Sequence, residues 1–205
     1  MSRDGSFDRK ALRKSLRKAR ISLSSEQQYS AEIAVAHQLN QSEFIHQSTT
    51  IAGYLANDGE VSLSSFITAQ WQHQGPYKRH ITLPVIHPVN KGHLLMLAYT
   101  PTTQMTENKY GIVEPEVACN HIHLISDHSV ILMPLVGFDR QGNRLGMGGG
   151  YYDRTLSNIR NAPIRPKLVG VAHDCQEVSQ LPVQSWDVPL DAIVTPSRIL
   201  HFKND

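Results

Sequence analysis

A glycine-rich segment near residue 150 carries the side chains best suited to chemistry. Six of the 13 glycines lie in residues 137–150, and the last three stand side by side. Glycines let backbone amides approach a ligand closely and adopt positive φ angles. Amides at the start of a helix bind phosphate, and Arg140 or Arg144 would add charge-assisted hydrogen bonds to phosphate oxygens. The segment therefore predicts a phosphate-binding loop.

Asp153 follows the last glycine by three residues, where the first turn of a helix is expected. A carboxylate beside bound phosphate suits Mg²⁺, which takes few carboxylates together with phosphate oxygens. Tight turns without a ligand show the same features, because the helix dipole alone favours Asp there. Neither standard pattern fits: GxxxxGK[ST] is absent, and the sixth position of GxGxxG counted from Gly146 is Tyr151. The loop itself leaves both interpretations open.

The elements that must position this loop begin with two helices. Leu12 and Leu16 lie four residues apart within a basic segment, which predicts a helix over about residues 8–21. Ser24 and Gln27 form a capping-box pattern, which predicts a second helix reaching about Leu39. The first 20 residues hold eight basic and two acidic side chains, whereas the other 185 carry a net charge of −4.

Short apolar segments then alternate with helical patterns. Strands are expected at residues 50–54, 80–84, 94–99, 130–133, 167–171 and 192–195, with helices at 63–71 and 150–159. Pro84 is expected to end the second strand. This alternation predicts one α/β domain over residues 1–205, with a three-layer αβα architecture around a mostly parallel sheet. Ligands bind beyond the carboxyl ends of the strands in such folds.

The composition excludes several classes of protein. With 205 residues, 40% apolar and 19% charged, the chain is neither disordered nor fibrous. It contains no apolar run of about 18 residues and no apolar N-terminal segment, so neither a membrane span nor a signal peptide is expected. Cys119 and Cys175 form no CxxC pair, which excludes a disulfide framework and favours the cytoplasm.

The segment Arg144–Asp153 reads RLGMGGGYYD and follows PLVGFD at Pro134–Asp139. Together these blocks closely resemble the signature of the 5-formyltetrahydrofolate cyclo-ligase family. Other matching segments occur in family order along nearly the whole chain. They are Arg9–Arg13, Leu23-Ser24, Tyr54-Leu55, Glu60-Val61, Leu83-Pro84, Tyr110–Pro115 and Trp186–Pro196.

The resemblance implies a ligase that converts 5-formyltetrahydrofolate into 5,10-methenyltetrahydrofolate with ATP and Mg²⁺. A formamide is a poor electrophile with a poor leaving group. Transfer of the γ-phosphoryl group to the formyl oxygen makes that oxygen a good leaving group. The neighbouring aminobenzoyl nitrogen then attacks, the ring closes and phosphate departs, leaving ADP and phosphate as products. Such a reaction depends on positioning and on neutralising phosphate charge more than on a protein nucleophile.

The resemblance also implies roles for individual residues. Arg144 and Asp153 would be catalytic, and Asp153 and Asp191 would hold Mg²⁺. The ATP-binding residues would be Arg9, Lys10, Arg13, Arg144, Leu145, Gly146, Met147, Gly148, Gly149, Gly150, Tyr151 and Tyr152. The folate-binding residues would be Leu55, Glu60, Met147, Gly148, Gly149, Gly150 and Tyr151. Glu60 would accept hydrogen bonds from the pterin amino groups, and Tyr151 would stack on the pterin ring.

Position 149 is glycine, where some family members carry lysine, and this removes one contact to the γ-phosphate. The other basic residues of the first helix, Lys14, Arg17, Lys18 and Arg20, are expected to form a solvated face. The expected protein is a cytoplasmic monomer that binds the folate, with or without a polyglutamate tail, and ATP, but neither nucleic acid nor a membrane.

Three other functions compete with this one. The basic helix could bind nucleic acid or an anionic membrane, although the net charge of −4 on the other 185 residues would repel such polyanions. A folate-binding relative without activity would have lost a metal carboxylate or the loop. A sugar-phosphate isomerase would share the sheet architecture. His121, His123, Asp127 and His128 suggest a metal site, but without a clear third ligand they are expected to be surface residues.

Overall fold

The computed structural model describes residues 9–75, 78–117, 121–159, 162 and 164–202; Asp8 and Cys119 lie outside these ranges. The helices are α1 (Arg9–Ile21), α2 (Ser25–Gln41), α3 (Glu43–His46), α4 (Ser64–Trp71) and α5 (Tyr151–Thr155). The strands are β1 (Thr50–Ala52), β2 (His80–Ile86), β3 (Leu94–Ala98), β4 (Met105–Glu107), β5 (Val113–Pro115), β6 (Ile122–His123), β7 (Val130–Pro134), β8 (Gly137–Phe138), β9 (Arg144–Leu145), β10 (Lys167–Val171), β11 (Ala192–Val194) and β12 (Ile199–His201).

Eight of these strands form one twisted sheet in the order β12-β11-β10-β7-β1-β2-β3-β6. The five central strands, from β11 to β2, pair in parallel. The edge strands β12, β3 and β6 pair antiparallel. The expected mostly parallel sheet is therefore confirmed, and β12 and β6 add edges that the sequence patterns did not indicate.

Both faces of the sheet are covered. On one face, Val35 and Leu39 of α2 and Phe66 of α4 pack against alternate strand residues such as Ile51 and Leu132. On the other face, Ile131 and Met133 pack with Leu156 and Phe138. Because successive strand side chains point to opposite faces, neighbouring residues of β7 contribute to two separate cores. The three-layer αβα arrangement is confirmed.

Most predicted elements occur within two or three residues of their expected bounds. The capping box at Ser24 is confirmed, since its side chain accepts a hydrogen bond from the Gln27 backbone N–H. Pro84 does not end β2. The parallel register with β1 stops at Thr82, so Pro84 has only β3 as a partner and its missing N–H is tolerated.

The helix expected at residues 150–159 is also wrong in extent, because α5 covers only Tyr151–Thr155. The chain turns after Thr155, and Leu156 and Ile159 are buried against the sheet. The strand expected at 192–195 ends at Val194 and the one at 50–54 ends at Ala52.

Helix α1 lies across the ends of the parallel strands where ligands are expected. Leu16 is buried there, and a Cβ atom added to Gly137 would come within 2.4 Å of Leu16 Cδ1. A larger residue at position 137 would therefore have to displace the Leu16 side chain under α1. Among the described helices, none is long and apolar enough to cross a membrane.

Candidate active site

A cavity of about 880 Å³ opens between α1, the glycine-rich loop and the loops that follow β1 and β7. Its volume lies in the upper range for small-molecule sites. One wall is charged and contains Arg9, Arg13, Arg144, Asp153 and Asp187. Another wall is mostly apolar and comes from β2, β3 and the β4–β5 hairpin, with Leu83, Pro84, Ile86, Leu94, Ile112, Val113 and Pro115.

The glycine-rich loop forms the floor between these walls. Gly148 has a φ of +100° and Gly150 a φ of +65°, which are backbone conformations that side chains disfavour. The Arg13 guanidinium lies over this backbone, because a Cβ on Gly148 would be 3.6 Å from Arg13 Cζ. Arg13 Nε donates a hydrogen bond to the Gly146 carbonyl oxygen over 2.8 Å. The glycine-rich loop therefore exposes backbone without side chains next to the positive charge of Arg13.

Arg144 and Asp153 form the central ion pair of the charged wall. The Arg144 side chain is 4% exposed, and its Nη2 donates to Asp153 Oδ1 over 2.5 Å. The same oxygen accepts a 3.2 Å hydrogen bond from the Val188 backbone N–H. Arg144 Nε is buried and has no hydrogen-bond partner among the described residues. A buried N–H without a partner is costly, so this donor suits an anionic ligand.

Arg9 reaches the cavity from the first turn of α1. It donates from Nη1 to Asp187 Oδ2 over 2.7 Å and from Nη2 to Asp187 Oδ1 over 3.2 Å. Asp187 also accepts from the backbone N–H of Gln184, and the neighbouring Trp186 stands 66% exposed at the rim. The pairing fixes the start of α1 against the segment 182–188.

Glu60 faces the cavity from the loop after β1. Burial raises the pKa of the Glu60 carboxyl to about 7, although the Arg20 charge and a hydrogen bond from the Asn57 backbone lower it. Tyr54 and Tyr152, whose pKa values burial raises well above the usual range, lie near this carboxyl. Leu55 lines the cavity beside Glu60. This part of the site therefore contains a carboxyl group whose charge changes near neutral pH, beside aromatic and aliphatic side chains.

The β4–β5 hairpin contacts the glycine-rich loop through two tyrosines. Tyr110 and Tyr151 share a 2.9 Å hydrogen bond between hydroxyl oxygens, and their rings meet edge to face. Arg154 lies over the Tyr151 ring. Both tyrosines line the cavity, so the hairpin forms one of its walls and meets α5 through this exposed contact.

Most of the residues expected at the site line this one cavity. They are Arg9, Arg13, Leu55, Glu60, Arg144, Gly146, Met147, Gly148, Gly149, Gly150, Tyr151, Tyr152 and Asp153. Lys10 and Leu145 do not belong to the described lining: Lys10 is exposed on α1, and Leu145 is buried in β9. Tyr152 is half-buried behind Arg144, which lies 5.9 Å from its ring centroid.

Asp191 also lies apart from the cavity. It stands before β11, at the amino end of the parallel strands, whereas the glycine-rich loop lies beyond their carboxyl ends. Arg165 binds its carboxylate with two hydrogen bonds of 2.7 and 2.8 Å, and the Leu168 backbone N–H donates a third. Asp191 is not in the described lining of the cavity, and the part of its segment that contacts Asp153 is the Val188 backbone.

The expectation of a solvated basic face on α1 is wrong for Arg20, which is fully buried. Arg17 remains 42% exposed, although it forms two hydrogen bonds of 2.6 and 2.7 Å with Asp58. Lys14 and Lys18 are exposed as expected.

Sequence patterns also missed Asp58, Asp187 and Glu114, which line the cavity. The first 20 residues carry a net charge of +6, and this charge was a signal that Arg9 and Arg20 need acidic partners elsewhere in the chain.

The charged wall fits the groups that the resemblance implies. Arg9, Arg13 and Arg144 suit the oxygens of a triphosphate, and Asp153 supplies one carboxylate for Mg²⁺, which needs few when phosphate provides further oxygens. Among the described residues, no group of three or more His, Cys, Asp or Glu side chains is placed to hold a metal ion. The expectation of a surface position is wrong for His128, which is buried. Its two ring nitrogens are hydrogen-bonded to Thr82 and Leu124, so it offers no ligand atom.

Comparison with known proteins gives consistent results. The model of the 5-formyltetrahydrofolate cyclo-ligase family matches residues 6–196. A 5-formyltetrahydrofolate cyclo-ligase of Haemophilus influenzae is 43% identical over 183 residues, which cover 89% of this chain and 94% of the relative. One from Escherichia coli is 39% identical over 187 residues, covering 91% of this chain and all of the relative.

Two solved structures resemble the whole chain. The 5,10-methenyltetrahydrofolate synthetase of Aquifex aeolicus superposes with a TM-score of 0.78 at 28% identity, covering 96% of this chain and 94% of that one. A 5,10-methenyltetrahydrofolate synthetase from Mycoplasma pneumoniae gives a TM-score of 0.70 at 22% identity, covering 92% and 99%, and supports the fold.

Proposed function

The chain belongs to the 5-formyltetrahydrofolate cyclo-ligase family, and from this membership we propose how its cavity carries out the ligase reaction. The enzyme converts 5-formyltetrahydrofolate into 5,10-methenyltetrahydrofolate, and we assign ATP as the co-substrate. One observation carries the assignment: three arginines converge on a glycine-rich backbone beside an apolar wall within one cavity. A triphosphate and a folate require surfaces of these two kinds.

The charged wall binds the nucleotide in this proposal. Arg13 lies over the glycine-rich backbone, and Arg9 approaches from the same face of α1. Arg144 contributes the buried Nε that lacks a partner. Since α5 is a single turn of five residues, its dipole adds little, and the arginines supply most of the positive charge. Gly149 leaves the loop without a basic side chain at its tip.

Asp153 would hold Mg²⁺, which would neutralise charge on the phosphates during transfer. Arg144 and the Val188 backbone N–H both donate to Oδ1 of Asp153, and neither donates to its Oδ2. Asp191 was implied as a second ligand, but its carboxylate binds Arg165 at the other end of the sheet. We therefore assign the metal to Asp153 alone and a structural role to Asp191.

The apolar wall binds the folate. Glu60 accepts hydrogen bonds from the pterin amino groups, and Tyr151 stacks on the pterin ring beside Met147 and Leu55. This places the formyl group over the glycine-rich loop, next to the γ-phosphate. The chain then acts by orienting: it brings the formyl oxygen and the phosphorus into line and excludes water. Arg144 stabilises the charge that develops on the transferred group.

The direct test uses purified protein, 5-formyltetrahydrofolate and Mg-ATP, with the methenyl product followed by its absorbance. We expect product only when both ATP and Mg²⁺ are present, together with release of one ADP per turnover. Product formed without ATP, or none with ATP, would contradict the proposal. Sedimentation of the active sample tests the further proposal that the enzyme acts as a monomer.

A further inference from the structure

Arg20 is fully buried near the C-terminal end of α1 and makes an unusually complete set of contacts. Its Nε donates to the Asp58 carbonyl oxygen over 2.8 Å, and its Nη1 donates to the Leu135 carbonyl oxygen over 3.0 Å. Its Nη2 donates to Asp58 Oδ2 over 2.8 Å. A buried guanidinium is tolerated only when its N–H groups are bonded in this way.

The same guanidinium also reaches the two sides of the cavity. Nη2 lies 3.7 Å from Glu60 Oε1, which forms an ion pair across the loop after β1. Nη2 also lies 4.0 Å from Met147 Sδ in the glycine-rich loop. One side chain of α1 therefore touches the proposed pterin acceptor, the end of β7 and the loop beneath the two substrates.

The conformation of the loop after β1 depends on this anchor. Asp58 has a φ of +53° and Gly59 one of +76°, so two successive residues adopt left-handed backbone. A Cβ on Gly59 would lie 3.3 Å from the Arg20 carbonyl oxygen, and His173 Nε2 lies 3.1 Å from the Gly59 carbonyl oxygen. Left-handed backbone at a non-glycine residue persists only where its surroundings hold it.

We propose that Arg20 is the positioning residue of the folate site: it aims the Glu60 carboxyl group into the cavity and favours its ionised form. This inference rests on the proposed function, since it takes Glu60 as the group that accepts hydrogen bonds from the pterin. Arg20 itself has no need to touch the substrate, because it acts through Glu60 and through the loop that carries Glu60.

The charges around Glu60 explain why Arg20 matters. Arg20 is the cation that faces the carboxyl, whereas Asp58 on the same loop opposes its ionisation. Tyr54 from the end of β1 and Tyr152 from α5 are neutral neighbours, and His173 binds the adjacent Gly59 carbonyl. Burial already raises the pKa of Glu60 to about 7. Without the Arg20 charge this pKa rises further, so Glu60 is protonated at neutral pH and loses acceptor strength.

The test compares Arg20→Gln, Arg20→Lys and, as a control, Lys18→Gln, which removes one exposed positive charge from the same helix. The readouts are kcat and the KM for 5-formyltetrahydrofolate measured from pH 6 to pH 9. In the wild type we expect this KM to rise as pH falls through the pKa of Glu60. Arg20→Gln should raise it about fivefold at pH 7, because a pKa rise of about one unit lowers the ionised fraction of Glu60 from about a half to about a tenth, and it should move the midpoint to higher pH. Arg20→Lys should keep the midpoint, and Lys18→Gln should match the wild type.

A double-mutant cycle with Glu60→Gln completes the test. If Arg20 acts through Glu60, the effect of Arg20→Gln on KM largely disappears in the Glu60→Gln background. Additive effects, or an unchanged pH midpoint in Arg20→Gln, would overturn the proposal. Should Arg20→Gln fail to fold, as judged by circular dichroism, Arg20→Lys decides: lysine keeps the positive charge, so a pH midpoint of KM that differs from that of the wild type would contradict the proposal.

Failure of the Arg20 proposal and failure of the proposed function give different experimental results. A wild-type enzyme without ATP-dependent turnover contradicts the proposed function. The Arg20–Glu60 relationship is then tested by the pH dependence of 5-formyltetrahydrofolate binding, measured by calorimetry in the same variants. An Arg20→Gln protein that binds the folate with wild-type affinity and pH dependence contradicts the positioning role.

Discussion

Arg144 and Asp153 are nine residues apart in the chain, on opposite sides of the glycine-rich loop, yet their side chains meet over 2.5 Å. The contact closes the loop at its base, because Arg144 leaves from β9 and Asp153 lies in α5. Asp153 Oδ1 is held by Arg144 and by the Val188 backbone together. The loop and the proposed metal ligand are thus positioned by one ion pair that is almost entirely buried on the arginine side.

The first prediction concerns this pair. Asp153→Asn and Arg144→Ala should each lower kcat by about 100-fold or more, since each removes charge stabilisation aimed at the transferred group. Initial rates at saturating 5-formyltetrahydrofolate and ATP measure this. Arg140→Ala is the matched control, because the Arg140 side chain is 72% exposed and pairs with Glu177 outside the cavity. Full activity in either site variant would contradict the assignment of that residue.

The second prediction concerns Arg9. Arg9→Ala should raise the KM for ATP by about tenfold, as expected for the loss of one charge-assisted contact worth roughly 1.5 kcal/mol, and change kcat little. ATP titrations at saturating folate measure the effect, and Lys14→Ala, an exposed charge one turn away, serves as control. Single substitutions are preferable to removal of residues 1–20, because Leu16 and Arg20 are buried and truncation would expose the core beneath them.

The third prediction separates the two aspartates implied as metal ligands. Asp191→Asn should lower the thermal midpoint of unfolding, because it weakens the contacts to Arg165 and to the Leu168 backbone. The Mg²⁺ concentration that gives half-maximal activity should stay unchanged in this variant and rise in Asp153→Asn. A shifted Mg²⁺ requirement in Asp191→Asn would show that Asp191 contributes to the metal site after all.

The fourth prediction concerns the pH dependence of stability. Glu60 has a pKa of about 7 in the folded protein, whereas the ordinary value is 4.5, so between these values the folded state binds more protons than the unfolded state. The contribution of Glu60 is therefore fully present below about pH 4.5 and is lost as pH rises through 7, by up to about 3 kcal/mol.

Urea unfolding of wild type and Glu60→Gln at intervals from pH 5 to pH 8 tests this. The free energy of unfolding of the wild type should fall relative to that of the variant as the pH rises. A constant difference across the range would show that the Glu60 carboxyl titrates normally.

Local patterns were sufficient for much of the fold. Helix α2 starts after the capping box at Ser24, and β7 and β10 coincide with their apolar runs. These elements appear where expected because they depend on residues that are close together in the sequence. Pro84 shows the limit of such rules. A proline ends a strand when a neighbouring strand requires a hydrogen bond from its position. At Pro84 no such bond to β1 is required, because β1 pairs with β2 only as far as Thr82. The short α5 has a similar cause, since burial of Leu156 and Ile159 against the sheet ends the helix.

The sequence by itself determined which residues are available for the chemistry: a glycine-rich loop, Arg144 and Asp153 at its ends, and a basic helix. Only the tertiary structure decided which of them meet. It buried Arg20 against Glu60 while leaving Lys18 in solvent, and it placed Asp191 with Arg165 at the far end of the sheet. Helical spacing and strand order do not reveal contacts between residues distant in the chain, because those contacts depend on how α1 packs across the strand ends.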